Sequence, residues 1–155
     1  MRSVILAFVI AACVFAASVA LATGVDPIYV GNKSLGGGDL NLYTKGVAGG
    51  LGVNNIGLLI KTFGRVTYVN TTSQFFYIDD GWGHATILPA PDSCTVYGIR
   101  VSYGGLAAGV PAITPPVANI NTYVAVTGII STVMVSDLVE PNVRPRRQDD
   151  IQPLP

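Results

Sequence analysis

From Leu58 to Asp79 apolar or aromatic side chains recur at every second position through much of the segment, with one polar interruption at Asn70–Gln74. The residues are mainly β-branched or aromatic, and such residues fit a pleated, half-buried surface. A period of two places alternate side chains on opposite faces of a strand. The segment therefore predicts two adjacent antiparallel strands, Leu58–Val69 and Gln74–Asp79, joined by a short turn.

Three later segments have the same strand chemistry: Val96–Tyr103, Thr122–Val135 and Val143–Arg147. A proline-containing stretch between the first and second of these favours a loop over a helix. Pro145 has no N–H to donate, which limits the last strand to a sheet edge or a bulge. Since no segment keeps a helical period, the sequence predicts an all-β fold.

The N-terminus has the pattern of a secretory signal peptide. Met1 and Arg2 precede an apolar run that ends in the small-x-small site Ala20-Leu21-Ala22, so cleavage is expected after Ala22. A membrane anchor is one alternative, because about 20 apolar residues can span a bilayer. A lipoprotein signal that lipidates Cys13 is another. We expect a secreted or cell-surface protein with no membrane span after cleavage.

Composition limits the partners and the chemistry of the mature chain. The full chain has nine basic and nine acidic residues, and loss of Arg2 with the signal peptide leaves eight against nine, so the mature chain as a whole does not attract nucleic acid and only a local patch could bind it. Its length suits a single domain with a modest core. Cys94 is the only cysteine after the signal peptide, which excludes an internal disulfide and leaves a buried thiol or an intermolecular bridge.

Half of the 18 glycines lie between Gly31 and Gly57, a density that argues against a helix or a long strand. Alternating apolar residues in this segment predict an arm that packs on the domain. The expected organisation is a signal peptide at 1–22, a glycine-rich arm at 23–57, a β domain at 58–151 and a short tail at 152–155.

Five short motifs resemble those of OB-fold modules found in bacterial secreted and nucleic-acid-associated proteins. They are "GRVTYV", "FFYIDDG", "GIRVSY", "YVAVTGII" and "VRPRRQDDI". The resemblance implies a five-stranded OB-like barrel over residues 58–151. A glycine such as Gly64 or Gly128 permits the bend that the first strand needs in order to serve both halves of the sheet. A small β-sandwich is the alternative fold.

Strand alternation predicts one outward face that mixes rings with cations. Its members are Lys61, Phe63, Arg65, Phe75, Tyr77 and Arg100. This mixture suits single-stranded nucleic acid, because bases stack on rings while cations meet phosphates. It also suits a glycan, which OB barrels bind on the same kind of face. The face requires Val66 to pair with Ile78 and Thr67 with Tyr77; alternatively, the arm covers the rings as a second core.

Residues that could do chemistry are sparse. Asp79 and Asp80 precede Gly81 and are explained by a turn. His84 and Cys94 share one loop in which nothing orients them as a nucleophile pair. We therefore expect no catalytic residue, metal or cofactor. The predicted function is an exported, non-enzymatic module that binds single-stranded nucleic acid or glycan, and the rival is a self-assembling structural protein of the cell surface.

Overall fold

The computed structural model describes residues 25–115 and 120–155. The predicted signal peptide, its cleavage site and Cys13 lie outside the described residues. In the described ranges we find nine strands, two single-turn 3₁₀ helices and no α-helix, which confirms the all-β prediction. None of the described helices has the length and apolar character that a membrane crossing needs.

The strands are numbered in chain order. They are β1 (Ile28–Tyr29), β2 (Leu59–Asn70), β3 (Phe75–Asp79), β4 (Ala85–Ile87), β5 (Thr95–Tyr97), β6 (Ile99–Ser102), β7 (Tyr123–Val135), β8 (Leu138–Arg144) and β9 (Ile151–Pro153). The 3₁₀ helices cover Asn32–Ser34 and Gln148–Asp150. The predicted limits of β2, β3 and β7 are correct to within one residue.

Seven strands form one mixed sheet in the order β1-β2-β3-β6-β8-β7-β9, while β4 and β5 form a separate hairpin. β2 also pairs with β7, so that β2, β3, β6, β8 and β7 close a five-stranded ring of hydrogen bonds. Residues Leu59–Arg65 of β2 pair with β7, and Arg65–Asn70 pair with β3. The first long strand therefore serves both halves of the sheet, as predicted.

Two glycines on buried positions let backbones approach closely inside this ring. A Cβ at Gly64 would lie 2.9 Å from the backbone nitrogen of Asp79, and one at Gly128 would lie 2.7 Å from the carbonyl oxygen of Arg144. Real Cβ contacts are longer than this. Larger residues at either position would force β2 or β7 away from its neighbour, which explains the glycines in otherwise β-branched strands.

The main core fills the inside of the ring. Ile60, Thr62 and Val66 of β2 are at most 2% exposed, which confirms their predicted inward direction. The other strands contribute Phe76, Ile78, Ile99, Val101, Val124, Val126, Ile130, Val143 and Ile151. Full burial of one such side chain contributes about 1.5 to 3 kcal/mol, so this interior is the main source of stability.

A second apolar cluster lies outside the ring, beneath the β4–β5 hairpin. Its buried members are Phe75, Tyr77, Leu88, Val96 and Val135, with Tyr68, Cys94 and Val133 packed around them. This hairpin was not predicted from the sequence. Its prediction of one strand at Val96–Tyr103 is wrong because the chain breaks at Gly98, where φ is +96°. A Cβ there would overlap the carbonyl oxygen of Ile78.

A β-bulge in β2 changes the predicted pairing. Val66 pairs with Ile78 as expected, but Tyr77 pairs with Tyr68 because Thr67 is an extra residue in the ladder. The predicted pair of Thr67 and Tyr77 is therefore wrong. The bulge also reverses the alternation, so that Tyr68 turns outward and its ring lies 6.1 Å from that of Phe75.

The last strand of the ring begins earlier than predicted. β8 covers Leu138–Arg144 and not Val143–Arg147, because Ser136 and Asp137 form a tight turn after β7. Both turn residues have positive φ, which is the geometry of a two-residue hairpin. β8 lies between β6 and β7, so the predicted edge position is also wrong. Pro145 follows the strand and does not interrupt it.

The glycine-rich arm packs on the ring through a few side chains only. Leu35 and Val47 are buried, and Asn32 accepts a hydrogen bond of 2.8 Å from the Thr62 hydroxyl. The Ala48 N–H donates to the carbonyl oxygen of Val139 at 2.7 Å. Most of the alternating apolar residues do not pack as predicted. The exposed ones are Leu40, Leu42, Leu51 and Val53.

Candidate functional site

The structure separates the six predicted binding residues into two groups. Lys61, Phe63 and Arg65 lie on the outer side of β2, where it pairs with β7. Phe75, Tyr77 and Arg100 lie on β3 and β6, next to the hairpin cluster. The predicted single exposed face is wrong, because Phe75 is 4% and Tyr77 1% exposed. Leu88, Cys94 and Val96, which lie in the hairpin segment Ala85–Tyr97, pack over these two rings. The arm, which was the alternative cover, contributes no residue to this cluster.

The first group belongs to a larger exposed surface, which we call the stacking face. It consists of Tyr29, Lys61, Phe63, Arg65 and Tyr123. Tyr29 is the register partner of Lys61, and Tyr123 is the register partner of Arg65. Register partners project from the same side of a sheet. The three rings are 78%, 52% and 50% exposed at Tyr29, Phe63 and Tyr123, so their faces are open to solvent.

The two cations of the stacking face carry no carboxylate partner within 4.0 Å in the described ranges. Lys61 Nζ donates to Gln152 Oε1 at 3.3 Å, and Arg65 Nη1 lies 3.5 Å from Asn121 Oδ1. The two cations are four positions apart on β2, a distance of about 13 Å along the strand. Phe63 lies between them, so ring and charge alternate along β2.

A groove of about 830 Å³ adjoins the Lys61 end of the stacking face. Its lining includes Tyr29 and Lys61 together with Arg146, Arg147 and Asp150. Burial alone would raise the pKa of Asp150, but hydrogen bonds from Arg146 outweigh it and hold that pKa below its ordinary value. The Asp150 carboxylate therefore partly neutralises Arg146, while Arg147 Nε is farther away, at 3.9 Å.

Arg100, in the second group, is half-buried and fixed by its neighbours. Its guanidinium carbon lies 3.8 Å from the centroid of the Phe75 ring, and its Nε donates to Ser102 Oγ at 3.1 Å. Burial lowers the pKa of Arg100. Burial also raises the pKa of Tyr77 to about 12, so its phenol is neutral at physiological pH.

Two members of the stacking face were missed from the sequence. Tyr123 is the second residue of the predicted strand Thr122–Val135, and alternation with the buried Val124 and Val126 was a signal that could have placed it outward. Tyr29 lies in a two-residue strand within the arm, where no periodic pattern exists. It reaches the face only because β1 pairs in parallel with β2, a long-range contact that residue type does not predict.

His84, which was weighed as part of a nucleophile pair, is instead held by contacts within the fold. His84 Nε2 lies 2.8 Å from Glu140 Oε2, and the His84 ring stacks on Trp82 at 4.5 Å. Trp82 itself packs against the main core. Within residues 25–115 and 120–155, no group of three or more His, Cys, Asp or Glu side chains is arranged to hold a metal ion.

The predicted turn at Asp79-Asp80-Gly81 is confirmed. Asp79 Oδ1 accepts from the Gly83 N–H at 3.0 Å, and Asp80 Oδ1 accepts from the Trp82 N–H at 3.1 Å. Gly81 has a φ of +101°, as such a turn requires. These carboxylates therefore hold the backbone between β3 and the hairpin.

Comparisons with protein-family models, with curated proteins and with solved structures find no match for this chain.

Proposed function

We propose that the chain is an exported, non-enzymatic binding module with an OB-like barrel, and that the stacking face binds single-stranded nucleic acid. The ring of β2, β3, β6, β8 and β7 supports the barrel proposal, since OB-folds are five-stranded Greek-key barrels. The parallel pairing of β6 with β8 fits a Greek-key connection and is hard to obtain in a simple meander. Export rests on the N-terminal sequence pattern.

The observation that carries the binding proposal is the row of exposed rings with unpaired cations between them. Each base that stacks on a ring contributes about 1 to 3 kcal/mol, and the ring does not discriminate strongly among bases. Lys61 and Arg65 stand on either side of Phe63, within reach of the phosphates of a strand stacked along β2. Two unpaired cations favour a polyanion over a neutral glycan, which is the second ligand class.

The proposed contacts are Lys61, Phe63 and Arg65, extended by Tyr29 and Tyr123. Phe75 and Tyr77 take no part, because the hairpin cluster covers them. The stacking face is therefore a revision of the sequence-based site that retains its chemistry and changes half of its members.

Fluorescence anisotropy with a labelled oligothymidylate tests this function on the chain without residues 1–22. Phe63→Ala should weaken binding by about tenfold, in line with the loss of one stacked base. Tyr43→Ala is the matched control, because Tyr43 is 92% exposed but lies on the arm. Equal affinities of the two variants would contradict the proposal, and binding to a neutral glycan alone would assign the face to the second ligand class.

One observation favours the rival function, a self-assembling surface protein. The arm exposes Leu42 at 73%, Tyr43 at 92% and Val53 at 83%. Exposed apolar patches commonly mark protein contacts. Sedimentation velocity over a hundredfold concentration range tests this function. Multimers that disappear in a Leu42→Ser/Val53→Ser variant would support assembly through the arm, and a monomer at every concentration would exclude it.

A further inference from the structure

A second cleft lies on the outer side of β6 and β8, away from the stacking face. We call it the arginine cleft; it has a volume of about 350 Å³. Its lining is mostly polar and includes Arg100, Ser102, Asn142 and Arg144, with Ser73 and Gln74 of the β2–β3 loop at the rim. Apart from Arg100, none of these residues was among the predicted binding residues.

Strand pairing places the two arginines near one another. Arg100 is the register partner of Asn142 in the parallel ladder, and Arg144 follows two residues later on the same side of β8, about 7 Å along the strand. Each guanidinium is held by the protein. Arg100 stacks on Phe75, and Arg144 Nη2 donates to the carbonyl oxygen of Gly104 at 2.9 Å. The donors are therefore fixed before a ligand arrives, which lowers the entropy cost of binding.

No described carboxylate forms a direct ion pair with either arginine, and Asp92 attracts Arg100 only from a longer distance. In the described ranges neither Arg100 nor Arg144 has an acidic partner within 4.0 Å. Arg100 is half-buried, and a partly desolvated guanidinium without a direct ion pair is unfavourable. An anion in the cleft would relieve this cost and would meet two rigid guanidinium donors.

A buried acceptor next to the arginines indicates that the ligand carries a hydrogen-bond donor as well as a negative charge. Asn142 is 3% exposed, and its Nδ2 donates to Ser131 Oγ at 2.9 Å. Its Oδ1 has no hydrogen-bond partner among the described residues. An unmet buried acceptor costs about 1 to 3 kcal/mol, so a ligand hydroxyl that donates to it would be bound favourably.

We propose that the arginine cleft binds a small sugar acid or sugar phosphate, whose oxyanion meets Arg100 and Arg144 and whose hydroxyl donates to Asn142 Oδ1. This site is independent of polymer binding on the stacking face. The two sites share no residue, so either can fail without the other.

Isothermal titration calorimetry with four probes tests the cleft. Glucuronate and glucose 1-phosphate carry both an oxyanion and hydroxyls, acetate carries only the oxyanion, and glucose carries only the hydroxyls. At least one of the two anionic sugars should bind about tenfold tighter than acetate, and glucose should not bind. Equal affinity for acetate and for both anionic sugars would overturn the proposal, because Asn142 would then contribute nothing.

Arg144→Gln is the informative variant, because Arg144 is exposed and its replacement should leave the fold intact. We expect about a tenfold loss of anionic-sugar affinity with an unchanged circular dichroism spectrum. Arg65→Gln is the matched control, since it removes an exposed arginine of the stacking face. Unchanged affinity in Arg144→Gln, or an equal loss in Arg65→Gln, would contradict the assignment to this cleft.

Discussion

His84 Nε2 lies 2.8 Å from Oε2 of Glu140, and this contact joins the start of the hairpin segment to β8. The Glu140 side chain is 6% exposed and that of His84 is 21% exposed. A carboxylate at this depth needs a partner, because an unpaired buried charge is strongly destabilising. The pair therefore helps to hold the hairpin over the second cluster.

Removal of the histidine should destabilise the protein. We expect His84→Ala to lower the free energy of unfolding by about 2 to 3 kcal/mol, since Glu140 remains buried without its partner. Urea denaturation followed by tryptophan fluorescence measures this loss. His84→Gln retains a donor and should recover part of it. A His84→Ala variant as stable as the wild type would show that the contact is not a structural link.

Two phenylalanines form a matched pair for the burial argument. Phe75 is 4% exposed in the second cluster, while Phe63 is 52% exposed on the stacking face. Phe75→Ala should lower the free energy of unfolding by about 3 to 5 kcal/mol, because it leaves a cavity. Phe63→Ala should cost less than about 1 kcal/mol. Thermal unfolding of the two variants measures which one loses more stability. A larger loss in Phe63→Ala would mean that the hairpin does not cover Phe75.

The buried phenol of Tyr77 predicts how the stability of the fold changes at alkaline pH. Burial raises the pKa of its phenol from 10.0 to about 12, and its hydroxyl lies near the Arg100 guanidinium but makes no hydrogen bond of standard geometry to any described residue. The folded state favours the neutral phenol, so the associated stability is complete below pH 10 and is lost as the pH rises through about 12.

Tyr77→Phe should flatten this part of the stability profile. At pH 7 the variant should be as stable as the wild type or about 1 kcal/mol more stable, because it removes an unpaired buried hydroxyl. Chemical denaturation at pH 7, 10 and 11 measures both effects. A loss of several kcal/mol at pH 7 would mean that the hydroxyl has a partner.

The Asp150 carboxylate predicts how the stability of the fold changes at acid pH. Its pKa lies below the ordinary value of 3.8 because the hydrogen bonds from Arg146 outweigh the effect of burial. Such a group contributes stability above its unfolded pKa and loses it as the pH falls through the lower folded value. Asp150→Asn should therefore reduce the difference in unfolding free energy between pH 6 and pH 3. The exposed neighbour Asp149 supplies the control variant Asp149→Asn, and equal effects of the two would contradict this assignment.

Local patterns predicted the strands whose side chains alternate strictly. β2, β3 and β7 each contain a run of β-branched or aromatic residues with a buried and an outer side, so residue type alone sets their position. The same rule found the inward residues Ile60, Thr62 and Val66 and the outward residues Lys61, Phe63 and Arg65.

The features that were missed depend on distant partners. The bulge at Thr67 accommodates a connection of only four residues, Thr71–Gln74, and nothing in the residues near Thr67 marks it. The break at Gly98 follows from the approach of Ile78, twenty residues earlier in the chain. The turn at Ser136 and Asp137 contains no glycine, although positive φ at both positions usually selects one.

Which candidate residues are exposed depended most on which segment packs over each surface. Alternation correctly turned Phe75 and Tyr77 out of the ring, but it could not predict that the hairpin segment packs over them. The outer side of β2 next to β7 stayed open, and the rings of Tyr29 and Tyr123 joined it through pairing with β2. Burial on the outside of the ring is therefore decided by tertiary contacts.

The salt dependence of oligothymidylate binding tests the stacking face most directly. Each phosphate that a cation neutralises on a single strand contributes about −0.7 to the slope of log K against log salt concentration. For the chain without residues 1–22, Lys61→Gln/Arg65→Gln should make this slope less negative by about 1.4 and weaken binding at low salt. An unchanged slope, or no binding by the unmodified chain at low salt, would contradict the account.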